Sequence, residues 1–157
     1  MSVIIQETHI EAPIEIVFDL ARSIDFHIYS THGTKEKAVS GRTSGLMELD
    51  ETVTWRAMHL GICQELTSQI TGFKRPFLFA DTMVKGVFAY MHHVHIFGIS
   101  GTGTLMKDTF EFRSPLGIVG KLFDWIFLRQ YMAKFLKIRN EELKKVAETE
   151  KWKQFLD

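Results

Sequence analysis

The densest chemical signal in the chain is a group of three histidines, His92, His93 and His95, inside the run FLFADTMVKGVFAYMHHVHIF. Imidazole is the side chain that exchanges protons near neutral pH and the commonest nitrogen ligand for metals. In an extended strand successive side chains alternate between faces, so His93 and His95 share one face with Val87, Ala89, Met91 and Phe97. His92 takes the other. The following run, Thr104–Phe112, puts Thr104, Met106, Asp108, Phe110 and Phe112 on one face. Its other face, Leu105, Lys107, Thr109 and Glu111, is wetter. If the paired residue numbers of these two runs sum to 201, His93 lies opposite Asp108, His95 opposite Met106 and Phe97 opposite Thr104. The two histidines and the aspartate then point inward among aromatics. A slip of one residue would turn the histidines outward.

Such a cluster can do three things. It can be a structural polar patch in which a carboxylate holds an imidazole, the reading favoured for His93 with Asp108 and for Asp81 with a nearby histidine. It can contact a ligand or move a substrate proton, with the carboxylate orienting the imidazole. Least supported is a metal site of two histidines plus Asp108 or Asp81, because two histidines two apart on a strand lack a third committed ligand. No metal and no cofactor is expected. Other reactive residue types are discounted. Cys63 has no adjacent base and is read as an inert core or edge thiol. Arg56 is read as an outer-face charge. Gly101-Thr102-Gly103 lacks the lysine and helix start of a phosphate loop and is read as a hairpin turn.

The elements that must position these groups follow from periodicity. Val3–Ile10 reads as a strand. Pro13–Arg22 reads as a helix with Ile14, Val17, Phe18 and Ala21 on one stripe, and a short helical turn follows at Ser23–Tyr29, the region ending at Gly33. From Lys35 the period becomes two, with strands near Glu36–Ser40, Leu46–His59, Ile62–Phe73, Phe77–Lys85, Val87–Ile99 and Thr104–Arg113. The links between them are short and glycine-punctuated, as in an antiparallel meander. Val53, Trp55, Ala57, Gln64, Leu66, Ser68, Ile70, Phe79, Asp81 and Met83 fall on inward faces.

A long helix is expected from Pro115 to Ala147, with Ser114 as its cap. Its first two-thirds are apolar on nearly every side, so most of that surface should be covered by the sheet. Phe123, Phe127, Tyr131 and Phe135 would face the sheet. Trp125 and Leu128 would form a strip on the far side that fits a homodimer contact. Glu141 and Lys145 are spaced for an exposed i, i+4 pair.

Composition narrows the function classes. With 157 residues and one cysteine, the chain fits a single domain, residues 1–157, without disulfides or a multi-cysteine zinc site. Lysine plus arginine equals aspartate plus glutamate, 19 each, so nothing in the net charge suggests electrostatic capture of nucleic acid or an anionic membrane. No basic run precedes an apolar core at the N-terminus. Lys121, Asp124, Arg129 and Lys134 interrupt the best candidate for a membrane span, so a cytoplasmic location is expected.

The order β-αα-β6-α, an α+β arrangement, resembles the helix-grip fold of the START-like (SRPBCC) superfamily. That group includes polyketide cyclase/dehydratase-like proteins, lipid-transfer domains, the birch pollen allergen and the abscisic acid receptors. The stretches IEAPIEIVFDL, VTWRAMHLG, FLFADTMVKGVFAYMHHVHIF and GTLMKDTFEFRSPLGIVGKLFD resemble a bacterial, polyketide cyclase/dehydratase-like branch in more detail. The resemblance implies a deep cavity between a curved sheet and the C-terminal helix, holding a small hydrophobic molecule. It implies no shared catalytic motif. The expected function is therefore binding or transport of a lipid, polyketide, isoprenoid or aromatic metabolite. Trp55, Phe79, Met91, Phe97, Phe110, Phe127 and Tyr131 would line the cavity, and Asp81, His93, His95 and Asp108 would orient the polar end of the ligand. The alternatives are a cyclase/dehydratase-type enzyme using His93 or His95 as general base, with Asp108 orienting it, and an adaptor that docks through the C-terminal helix.

Overall fold

A computed structural model describes residues 1–115 and 117–156, and the side chains of Lys121, Asp124 and Trp125 lie outside that description. The strands are β1 (Ser2–Ile10), β2 (Lys37–Gly41), β3 (Thr52–His59), β4 (Ile62–Lys74), β5 (Leu78–Lys85), β6 (Tyr90–Ser100) and β7 (Gly103–Arg113). They form one antiparallel sheet in the order β1-β7-β6-β5-β4-β3-β2. Helices α1 (Ile14–Ala21) and α2 (Ile24–Ser30) follow β1. The C-terminal part is α3 (Gly117–Phe123), a π-helical turn (Asp124–Leu128), α4 (Arg129–Ala147) and the short α5 (Lys153–Leu156). This is the α+β helix-grip arrangement. Helix α4 packs across β1, α1 and α2. Bulges in β2 and β4 break the register of the sheet and bend it, which is how a meander curls around a helix.

Several expected boundaries move. The strand expected from Leu46 starts at Thr52, because residues 42–51 form a loop. Arg22 ties that loop down: its Nη1 donates to the Met47 carbonyl at 2.9 Å, and its own carbonyl accepts from Met47 N at 3.1 Å. The strand expected from Val87 starts at Tyr90, with residues 86–89 forming the turn that enters it. A 3-10 turn, His32–Thr34, runs through Gly33 rather than ending there.

The β6–β7 register also differs. The ladder continues to Ser100↔Gly103, closed by a two-residue turn in which Gly101 has φ +60°. Paired numbers therefore sum to 203, and Asp108 lies opposite His95 instead of His93. The shift is two residues, so the faces are unchanged: Met91, His93, His95 and Phe97 are buried on β6, and Thr104, Met106, Asp108, Phe110 and Phe112 on β7.

The long helix is the largest departure. It does not run unbroken from Pro115. Leu116 lies outside the described residues, α3 begins at Gly117, and the π turn interrupts the ladder before α4. Gly120 is required by packing, since a Cβ there would sit 2.0 Å from the Pro115 carbonyl oxygen. The apolar first part is not covered by the sheet: Ile118, Val119, Leu122, Phe123, Ile126 and Phe127 are all exposed. Leu128 packs partly buried against a core cluster of Met91, Phe110, Phe112, Met132 and Leu136, while Trp125 lies outside the described side chains. On the polar face Lys145 pairs with Glu142 at 2.7 Å, and Glu141 with Lys137 at 3.8 Å, in place of the expected Glu141–Lys145 pair. Cys63 is exposed rather than core.

Phe18 of α1 closes one end of the molecule. Its ring meets Phe73, Phe79 and Phe97 edge-on at centroid distances of 5.5, 5.5 and 5.2 Å. The second cluster lies under α4. Space is left between the two.

Candidate functional site: a cavity with two polar clusters

That space is a cavity of about 610 Å³ between the concave face of the sheet and the C-terminal helices. Its walls include Trp55, Phe79, Asp81, Met91, His93, His95, Phe110 and Tyr131. Three of the residues expected at the site stand elsewhere. Phe97 is buried in the Phe18 cluster. Asp108 is buried behind the wall, reaching the site through the histidines. Phe127 is exposed on the π turn, because the early helix swings away from the sheet.

The deep polar cluster is assembled by β5, β6, β7 and α4. Cross-strand pairing puts Asp81 beside His93 and Asp108 beside His95. His95 Nδ1 lies 2.5 Å from Asp108 Oδ1, His93 Nε2 lies 3.4 Å from the same oxygen, and His95 Nε2 lies 3.8 Å from Asp81 Oδ1. Asn140 Nδ2 donates to Asp108 Oδ2 at 2.5 Å. The imidazole of His95 stacks on Phe79 at 4.2 Å and lies 3.9 Å from that of His93. Among the described residues, His93 Nε2, His95 Nδ1, Asp108 Oδ1, Asn140 Oδ1 and Arg139 Nη1 are buried without an aligned hydrogen bond. The imidazole–Asp108 contacts are therefore electrostatic rather than directional.

Burial and charge divide the two imidazoles. Burial lowers the His95 pKa, but the Asp108 carboxylate outweighs it and the net direction is up, favouring an imidazolium. For His93, burial and then the His95 charge both push down, to about 4, so His93 is neutral at pH 7. Burial would raise Asp81 and Asp108, yet the histidines hold both below the usual range. Both carboxylates lie close to His95, and Asp81 also feels the charge of Arg139, whose Nη2 donates to the Ala21 carbonyl at 2.8 Å. Asp81, His93 and His95 each offer a ligand atom within 4.8 Å of the others and could hold a metal ion. A cation there would compete with the proton that Asp108 favours on His95.

A second polar cluster was not read from the sequence. Glu36, just before β2, lies between His27 of α2, at 2.5 Å, and His59 at the end of β3, at 3.6 Å. His59 Nδ1 lies 2.9 Å from the Tyr131 hydroxyl of α4. His27 packs on Trp55 at 4.2 Å. All five residues line the cavity. Burial would raise Glu36, but His27 and His59 override it and hold it at about 2. Burial and then Glu36 raise Tyr131, so its hydroxyl stays protonated and can donate.

No protein-family model matches the chain, and no curated protein matches its sequence. Solved structures do match in shape. TTHA0849 from Thermus thermophilus superposes with a TM-score of 0.73 at 17% identity, over 93% of this chain and 99% of that one. A START superfamily protein from Mycobacterium smegmatis gives 0.70 at 8% identity, over 93% and 97%. Ara h 8.0201 gives 0.60 at 12% identity, over 90% and 97%. The fold is START-like. Identities this low establish the START-like architecture alone. Among the described residues, no helix is long and apolar enough to cross a membrane.

Proposed function

We propose that this START-like chain binds a small hydrophobic molecule, of the lipid, polyketide, isoprenoid or aromatic class, in the cavity and without catalysis. The observation that carries this reading is the cavity itself: about 610 Å³, walled largely by apolar and aromatic side chains with two localised polar clusters. That is the usual chemistry of a ligand pocket. Burying ~200 Å² of ligand apolar surface at ~25 cal/mol/Å² contributes about 5 kcal/mol before ordering costs, enough for reversible carriage. The deep cluster suits a holding role better than a proton-moving one. The Asp108 carboxylate, 2.5 Å from Nδ1, raises the His95 pKa and ties that nitrogen to a structural partner. His93, at about 4, is a weak base at neutral pH, and its Nε2 is buried.

A second reading, a cyclase/dehydratase-type enzyme, draws support from the other cluster. There a protonated Tyr131 hydroxyl meets an imidazole backed by Glu36, inside the cavity. Native mass spectrometry of protein purified from its own host separates the readings. A discrete mass released on denaturation supports carriage. No released mass together with no displacement of an apolar fluorescent dye would defeat it. Turnover of a polyketide-like substrate, lost in Tyr131→Phe with dye affinity kept, would favour the enzyme.

A further inference from the structure

The cavity opens between three elements that all present apolar side chains outward. Leu60 and Ile62 at the β3–β4 turn, Val87 at the β5–β6 turn, and Val119 and Phe123 of α3 both line the cavity and are exposed, so they form its rim. Beyond the rim on the helix, Ile118 is 84% exposed, Leu122 57%, Ile126 56% and Phe127 45%. Ile118, Leu122 and Ile126 are spaced i, i+4, i+8, as are Val119, Phe123 and Phe127. Together they make a broad apolar band over two turns, on the part of the helix that leaves the sheet. Contiguous exposed apolar surface of this kind marks a contact site.

Cations flank the band. Lys85 ends β5 and enters the β5–β6 turn. Arg113 ends β7, pairs across the ladder with Tyr90 and accepts from Ala89 N at 2.8 Å, which places it at that turn. Arg129 follows the π turn directly. All three are exposed, and none has a carboxylate within ion-pair distance among the described residues.

We propose that this face docks on the surface of an anionic lipid bilayer, the apolar band entering the headgroup–acyl boundary and the three cations meeting lipid phosphates. The position of the band decides between occupants. A protein partner or a second copy seated here would cover this rim, whereas a bilayer gives a hydrophobic molecule a dry route in and out. That choice of occupant rests on the proposed hydrophobic ligand, while the apolar band and its cations do not.

The test is vesicle co-sedimentation with equal parts phosphatidylcholine and phosphatidylglycerol, and with phosphatidylcholine alone. The parent protein should partition onto the mixed vesicles, and more weakly as salt rises. The double variant Ile118→Asp/Leu122→Asp should partition at least tenfold less. Neither residue lines the cavity, so it should still bind an apolar fluorescent dye in solution as the parent does. Lys85→Gln and Arg129→Gln should each weaken partition onto the mixed vesicles about fivefold and leave the phosphatidylcholine result unchanged. No partition of the parent, or equal partition of the double variant, overturns the proposal. So does light scattering that shows a dimer dissociated by the double variant with no vesicle capture of either form. If neither protein binds dye, the ligand-binding reading fails while the vesicle comparison still decides the surface.

Discussion

The two polar clusters of the cavity solve the same problem, burying charge, in different ways. The deep one packs two carboxylates against two imidazoles, with five polar atoms lacking an aligned hydrogen bond among the described residues. The other threads one carboxylate between two partly exposed imidazoles, one of which meets a tyrosine hydroxyl. Buried polar groups without directional partners carry a large desolvation cost. The deep cluster should therefore be the fragile one, held by mutual charge, and the other the tolerant one.

The largest test of that contrast is truncation of each central carboxylate. Asp108→Ala strands the His95 imidazole and the Asn140 amide inside the protein. Removing one member of a buried pair costs about 3–5 kcal/mol. Glu36→Ala leaves imidazoles that are each about one-fifth exposed and can turn toward solvent. It should cost about 1–3 kcal/mol. Urea unfolding of both variants measures the difference, and an Asp108→Ala loss no greater than that of Glu36→Ala would remove the distinction.

Acid titration separates the clusters by pH window. The folded His93 pKa, about 4, lies below its ordinary value of 6.5, so the native state binds fewer protons and acid favours unfolding. That loss develops as pH falls from 6.5 to 4 and is on the order of 3 kcal/mol at ~1.4 kcal/mol per unit. Glu36 acts lower: its support is complete above 4.5 and is lost as pH falls through about 2. His95 has the opposite dependence to His93. Its raised pKa gives support that is full below 6.5 and declines as pH rises through the folded value. Stability curves from pH 7 to 4 should flatten in His93→Gln and keep their slope in Glu36→Gln. An unchanged slope in His93→Gln would assign the acid sensitivity to other groups.

The deep cluster was largely legible in the sequence because its core lies on adjacent strands of one hairpin, where alternation alone fixes which residues share a face. Only the register was misjudged, since the two-residue turn at Gly101-Thr102 is tighter than the six-residue link assumed. Arg139 and Asn140 left a readable trace: they interrupt the apolar series Met132, Leu136, Leu143, Val146 on the buried side of α4. His59 continues the inward alternation of Val53, Trp55 and Ala57. Glu36 and His27 left none, because a loop residue and a short helix meet only through the curl of the sheet. The exposed band on α3 was misread for a related reason. Apolar composition shows that a surface avoids water but does not say whether protein covers it.

The smallest expected effect is the most discriminating for whether there are two clusters or one. Tyr131→Phe removes only a hydroxyl from His59 and should cost about 1 kcal/mol. Asp108→Asn keeps the shape of the deep cluster and removes its charge. The groups share no hydrogen bond or ion pair among the described residues. A double-mutant cycle should therefore give losses that add to within about 0.5 kcal/mol. A coupling clearly above that would mean that charge in the deep cluster is felt at the Tyr131–His59 pair. The cavity would then hold one extended polar network spanning sheet and helix, and a ligand touching either end would report on both.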